Sequence, residues 1–257
     1  ARTRWRGVRF GMEKGAWGFA ARAIGYGLLT LVSFGALFPL GNFKLEKYMA
    51  DRSYFGDARF EQGGKWTALY GAAKHVFIGL GVLIAGVAIG GAAQSEALMG
   101  IAVLVGYIWL MVGFVYYRVH SFRYMAENRM LGDQITFTAT PTTGEVIKIY
   151  IIGALIMAVV VAVLVFIGGL LFGAVMSMAG IGNMGLVGVL GVVLYLIALV
   201  LLGAMALVFI TQPTIAHFIT NFTVHNADAL NDIQQRAMET GVDAEGFADA
   251  LDIGGAI

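Results

Sequence analysis

The chain contains no cysteine, which excludes disulfide bonds, thiolate metal sites and cysteine nucleophiles. Charged residues are also scarce, at 13% of 257 residues, whereas about 25% is usual in a soluble domain. The 17 basic and 16 acidic residues nearly cancel, and the lack of a basic excess argues against a nucleic-acid partner. Because 59% of the residues are hydrophobic, the composition predicts a membrane protein.

Sequence motifs typical of catalytic or nucleotide-binding sites are equally scarce. The sequence has no phosphate-binding glycine loop, nucleophile elbow or HExxH pattern. Four stretches are long enough to span a membrane: Val76–Ser95, Ala97–Tyr117, Ile149–Met178 and Met184–Ile210. They contain no Asp, Glu, Lys, Arg or His, which argues against ion coupling and haem ligation within them. We therefore expect a protein that is not an enzyme and that holds no cofactor or metal.

Two apolar regions are each long enough for a transmembrane hairpin, since a single span needs about 20 residues. They cover residues 76–117 and 149–210, and Gly180–Asn183 is the predicted turn of the second. A less apolar stretch, residues 17–40, is long enough for one crossing and too short for two. Arg22 is its only charged residue.

A polar element is repeated along the chain. Tyr48–Asp57 returns 76 residues later as Tyr124–Asp133, with five of ten positions identical and no gap. Such a period predicts a membrane protein built from repeated units. Residues 1–7 fit the same pattern, so we expect the chain to be the C-terminal part of a longer protein. Alternating residues after each Gly-Asp pair predict short strands of a small cytoplasmic sheet.

Basic residues predict the orientation, because they collect on the cytoplasmic side of short loops. They are concentrated in residues 1–16, 41–75 and 118–148, which we therefore expect in the cytoplasm. If residues 17–40 crossed the membrane, the basic N-terminal segment would lie outside. A re-entrant hairpin bent near Ser33-Phe34-Gly35 is therefore favoured over a full span.

Few side chains are functional candidates. Arg22 could serve a pore, or its side chain could simply extend to the headgroups. Asp57 and Asp133 occupy equivalent positions and could be catalytic acids, although a Gly-Asp turn in which the carboxylate accepts backbone N–H bonds is the commoner role. Two glycine patterns predict close helix packing, within the chain or between copies: Gly86 with Gly90, and Gly169 with Gly173.

The last segment, residues 211–257, is predicted to be a cytoplasmic acidic tail. Residues 226–257 hold seven of the sixteen acidic residues. Asn226 or Asp228 is expected to cap a short helix that runs through Met238. This tail could dock on its own protein or bind a cytoplasmic partner.

The string Arg2–Gly11, followed by Gly15–Gly18, Leu45–Tyr48 and Phe55–Asp57, resembles the YjgN-like family of bacterial inner-membrane proteins. The ending Ala248–Asp252 is similar to the C-termini of alphaproteobacterial members. The resemblance implies a polytopic inner-membrane protein with one more hairpin unit upstream. The family is a domain of unknown function, so the resemblance supplies no catalytic residue.

Taken together, these features predict an all-α membrane protein, a polytopic helical bundle of repeated hairpin units with short cytoplasmic β-elements. The leading functional hypothesis is a non-enzymatic accessory or scaffold subunit. Its partners would be the lipid bilayer and either another membrane protein or a second copy of the chain. Two alternatives stay open: a passive channel or carrier for a lipid or small apolar solute, centred on Arg22, and an intramembrane enzyme.

Overall fold

A computed structural model describes residues 3–179 and 184–236 of the chain, in which short strands alternate with long helices. The strands are β1 (Arg4–Trp5), β2 (Val8–Met12), β3 (Ser53–Phe55), β4 (Ala58–Gln62), β5 (Arg129–Leu131), β6 (Ile135–Ala139) and β7 (Phe222–His225). The helices are α1 (Ala16–Val32), α2 (Phe38–Ala50), α3 (Leu69–Ala92), α4 (Glu96–Glu127), α5 (Thr143–Ala179), α6 (Met184–Ala206) and α7 (Gln212–Thr220). A π-helical turn, Leu207–Thr211, joins α6 to α7.

The strands form one seven-stranded antiparallel sheet, a half-barrel whose strand order follows the sequence. Short turns join β1 to β2, β3 to β4 and β5 to β6, whereas helical hairpins join the other neighbouring strands. Each helical hairpin therefore leaves the sheet at one strand and returns at the next. The predicted all-α class is incomplete, because the β-elements pair into one continuous sheet.

The glycines of the two Gly-Asp motifs bend the chain between strands. Gly56 and Gly132 have φ values of 56° and 57°, a left-handed conformation that glycine adopts without steric cost. Phe55 pairs with Ala58 across the first turn, and Leu131 pairs with Ile135 across the second. Both aspartates therefore lie at turn tips.

Alternation along the strands separates two faces of the sheet. On one face, Phe55, Leu131, Ile135 and Phe137 form a buried cluster. On the other face, Arg59, Glu61 and Thr136 are exposed to solvent. The apolar face is covered by the ends of the helices and by the C-terminal segment.

Four helices are long and apolar enough to cross a membrane. They cover Trp66–Ala92, Glu96–Glu127, Thr143–Ser177 and Gly191–Thr220, within the part of the chain that the structure describes. These helices belong to the two predicted hairpins but extend further at the sheet end.

The predicted polar connectors are partly helical. Residues 41–50 and 118–127 are the last turns of α2 and α4, and residues 212–220 of the predicted tail are α7. The ion pairs Lys47–Asp51 and Arg123–Glu127, spaced i to i+4, stabilise the ends of α2 and α4.

The first helical hairpin is shorter than the others. The chain turns between α1 and α2, where Phe34 and Gly35 have φ values of 51° and 87°. Helix α1 has 17 residues and is therefore about 25 Å long. Helix α2 packs on the α3–α4 hairpin through a core that includes Phe43, Leu69 and Tyr117.

The C-terminal segment differs from its prediction. A 3₁₀ turn covers Ala227–Asn231, and the chain then continues without a helix to residue 236. The predicted helix is therefore wrong for residues 232–236, because Leu230 and Ile233 pack on the apolar face of the sheet instead. Met238 and the rest of the predicted tail lie outside the described residues.

Candidate functional site

A cavity of about 430 Å³ lies where α2 and α4 meet the apolar face of the sheet. Small-molecule sites typically have volumes of about 300–1,000 Å³. Its aromatic lining consists of Phe60, Phe122, Phe137 and Phe222, and its polar lining consists of Asn42, Glu46, Arg118, Ser121 and Arg129. We call this space the interfacial cavity.

The helical spacing of α4 and the alternation of side chains along the strands place the residues that line this cavity. Arg118, Phe122 and Met125 recur every three or four residues, so they lie along one face of α4. Phe60 and Phe137 occupy inward positions of β4 and β6, where side chains alternate between the two faces of the sheet. The cavity therefore has one helical wall and one aromatic sheet wall.

A polar network holds the sheet end of the cavity. Arg129 Nη2 donates to Glu46 Oε1 at 2.7 Å, and Arg129 Nε donates to Gln62 Oε1 at 3.0 Å. Gln62 is only 1% exposed, and its Nε2 donates to the Met125 carbonyl at 3.0 Å. The network ties α2, α4, β4 and β5 together, and the charges of Glu46 and Arg129 neutralise each other.

Arg118 differs from Arg129 in having no such partner. Its side chain is exposed, and its guanidinium makes no hydrogen bond or ion pair within residues 3–179 and 184–236. Arg118 lines the interfacial cavity and also a second cavity of about 350 Å³ between α4 and α7. We call the second space the α4–α7 slot, which is lined by Arg118, Phe122, Thr214, Ile215, Phe218, Ile219 and Phe222. The two cavities share Arg118, Phe122 and Phe222 and therefore adjoin.

The structure places Arg22 away from both cavities. It is exposed on α1, its Nη1 donates to the Gly18 carbonyl at 3.0 Å, and its guanidinium lies 4.4 Å from the centroid of the Tyr48 ring. A channel or carrier centred on Arg22 finds no support in this geometry, because Arg22 lines neither the interfacial cavity nor the α4–α7 slot.

Asp57 and Asp133 have different surroundings despite their equivalent turns. The Asp57 carboxylate accepts a hydrogen bond from Gln234 N at 3.1 Å, and Asp57 N donates to Gln234 O at 2.9 Å. Asp133 makes no hydrogen bond or ion pair with any residue that the structure describes. Neither aspartate lines the interfacial cavity, so this geometry gives them no shared site.

The two glycine pairs also differ. A Cβ added at Gly90 would lie 2.8 Å from Met99 Cβ, and Gly86 faces Ala102, so both glycines pack against α4. A Cβ at Gly169 or Gly173 would have no atom of the described residues within 4 Å. The first pair packs within the chain, and the second pair has no neighbour among the described residues.

The sequence predictions did not single out Arg118 or Phe122 as functional. Their signal is the continuation of the 3–4 residue spacing of α4 into the charged segment after Tyr117. Phe60, Phe137 and Phe222 come together only when the sheet forms. Among residues 3–179 and 184–236, no group of three or more His, Asp or Glu residues is placed to hold a metal.

Long apolar helices that rise in hairpins from one sheet define a polytopic helical membrane protein. The chain belongs to a family of bacterial proteins of unknown function (DUF898, YjgN-like), whose family model matches residues 1–140. No curated protein and no solved structure matches the chain. The matched region contains every residue that lines the interfacial cavity except Phe222.

Proposed function

We propose that this protein is an inner-membrane protein that binds an amphiphilic molecule from the membrane in its interfacial cavity. The carrying observation is an aromatic cavity that adjoins an apolar slot between two helices and contains a cation, Arg118, with no partner among the described residues. Binding sites of this type are mostly apolar, with a few polar groups that orient the ligand. A ligand with a hydrocarbon part and a polar head matches both parts of the lining.

The charge distribution supports a cytoplasmic sheet. Except for Arg22, the Lys and Arg residues that the structure describes lie in the sheet, its turns, the adjoining helix ends or the C-terminal segment that packs on the sheet. Basic residues collect on the cytoplasmic side. The interfacial cavity would then lie at the cytoplasmic surface of the membrane, where headgroups meet acyl chains.

The first hairpin is proposed to be re-entrant. It begins and ends at paired strands, since Phe10 of β2 pairs with Phe55 of β3. Its tip is apolar and uncovered, with Phe34 90% exposed and Val32 78% exposed, which suits insertion into hydrocarbon. The order strand, helical hairpin, strand occurs three times, which supports three repeats of one ancestral unit.

Single-cysteine labelling tests this topology directly, because the natural chain has no cysteine. With a membrane-impermeant maleimide, Asp133→Cys should react only from the cytoplasmic side and Gln94→Cys only from the periplasmic side. Phe34→Cys should be protected from both sides. Labelling of Lys14→Cys from the periplasm would contradict the re-entrant hairpin.

Native mass spectrometry of protein released from nanodiscs tests the binding function. We expect one amphiphile per chain to survive release, because a ligand in the cavity is held on several sides, unlike annular lipid. A protein that carries no retained ligand after release from bacterial lipid would contradict the proposal.

A second candidate, an accessory or scaffold subunit, is favoured by the open glycine face of α5. Gly169 and Gly173 would let another helix approach closely, with van der Waals contact that lipid supplies less well. If this face is an interface, Gly173→Leu should dissociate an assembly that light scattering detects in the natural protein. A monomer in mild detergent and in nanodiscs would remove the support for this role.

A further inference from the structure

Building on the proposed binding function, we infer that the ligand is an anionic phospholipid. Its phosphate would contact Arg118, and one acyl chain would lie in the α4–α7 slot. The inference comes from two observations on the same wall of α4: a cation that no described residue neutralises, and a continuous apolar surface directly beside it.

The charge balance of the interfacial cavity supports an anion. Its ionisable lining residues are Glu46, Arg118 and Arg129. Glu46 and Arg129 are paired at 2.7 Å, so Arg118 carries the net charge of the described lining residues. A guanidinium presents parallel N–H donors that match two phosphate oxygens, and such charge-assisted bonds are among the stronger hydrogen bonds in proteins.

The chemistry of the slot supports a hydrocarbon chain. Among the described residues that line the slot, Thr214 is the only polar one apart from Arg118. It is 4% exposed and donates its hydroxyl to the Ile210 carbonyl at 2.6 Å. Because the Thr214 hydroxyl already donates to this carbonyl, the slot offers few hydrogen-bonding groups to a polar ligand and is suited to apolar groups. A free phosphate would use Arg118 alone and leave the slot unused.

The slot also offers a route from the bilayer. Ile215 and Ile219, on its α7 wall, are 51% and 67% exposed, so this wall continues onto the outer surface of the helix. The π-helical turn Leu207–Thr211 immediately precedes α7, and such turns occur frequently at functional sites. A lipid could therefore enter sideways while its headgroup stays at the membrane surface.

Photo-crosslinking in proteoliposomes tests the inference, with diazirine-labelled phosphatidylglycerol and phosphatidylcholine as probes and peptide mass spectrometry as readout. In the natural protein, the phosphatidylglycerol probe should label the slot residues of α4 and α7 about tenfold more than the phosphatidylcholine probe. Both lipids carry the phosphate, but the choline ammonium adds a positive charge near Arg118, and the repulsion between two such charges about 10 Å apart is worth roughly that factor. Arg118→Gln should abolish the difference, whereas Arg118→Lys should keep part of it. Arg123→Gln is the matched control, since Arg123 lies on the same helix and pairs with Glu127 at 2.8 Å.

Other results would overturn the inference in distinguishable ways. Equal labelling of the slot by both probes would contradict the anion preference and leave the amphiphile function standing. Labelling by neither probe would contradict both. Loss of labelling in excess inorganic phosphate would show that a soluble phosphate is recognised without a chain. Equal losses in Arg118→Gln and Arg123→Gln would show a general surface-charge effect.

Discussion

Gly90 of α3 lies directly against the backbone of Met99 in α4, where a Cβ at Gly90 would stand 2.9 Å from Met99 Cα. Gly173 of α5 belongs to the same four-residue glycine spacing, and no atom of the described residues lies within 4 Å of a Cβ added there. The α3–α4 hairpin is therefore closed by close backbone contact. The described part of the α5–α6 hairpin leaves the equivalent glycines open.

Gly90→Ala should destabilise the protein, because the new methyl group has no room. We expect a cost of about 1–3 kcal/mol, seen as a lower midpoint of thermal unfolding in detergent. Gly173→Ala is the matched control and should hold or raise the midpoint, since alanine favours helix more than glycine does. An unchanged midpoint for Gly90→Ala would show that the two helices can move apart without cost.

Gln62→Leu should destabilise the sheet end of the protein. The substitution keeps the side-chain size but removes the partners of Arg129 Nε and the Met125 carbonyl, at a cost of about 1–3 kcal/mol for a buried unsatisfied group. Gln134→Leu, in the exposed β5–β6 turn, is the control. Equal thermal midpoints for the two variants would contradict a structural role for the network.

The sequence was sufficient to predict the long helices but not the cavity. Charge-free runs predicted the two long hairpins, because the bilayer requires about 20 apolar residues whatever packs around them. The repeated Gly-Asp motif predicted where the chain turns, since Gly56 and Gly132 need a left-handed conformation. Strand pairing between β2 and β3, or β6 and β7, joins residues far apart in the chain, and no local pattern specifies it. For this reason the meeting of Phe60, Phe137 and Phe222 could not be predicted.

Among the polar residues too, the sequence identifies some candidates, whereas others depend on tertiary contacts. Charge alone singled out Arg22 as the one deep cation, but its neighbours are Gly18 and Tyr48 on the first hairpin. The sequence places Arg118 only within the basic segment 118–148, because its lack of a partner among the described residues depends on Glu46 pairing with Arg129 instead. Which of two arginines is left unpaired is decided by tertiary contacts.

Asp57→Ala should loosen the C-terminal segment. It removes the carboxylate that accepts from Gln234 N, so the Gln234 amide should exchange its hydrogen at least several-fold faster. Asp133→Ala, in the equivalent turn, should leave that exchange rate unchanged, since Asp133 has no partner among the described residues. If both variants lost the protein's cellular function while this exchange rate stayed unchanged, a shared catalytic role would be favoured instead.

A pair of serine substitutions tests the interfacial cavity most directly. Ser121 lines the cavity on α4, and Ser177 is exposed on α5; each hydroxyl donates to the carbonyl three residues earlier. Ser121→Phe should fill the cavity, and native mass spectrometry from nanodiscs should then show loss of the retained amphiphile. Ser177→Phe should retain one amphiphile per chain, and both variants should elute as folded protein. Equal retention by folded Ser121→Phe and Ser177→Phe would contradict a ligand in the interfacial cavity.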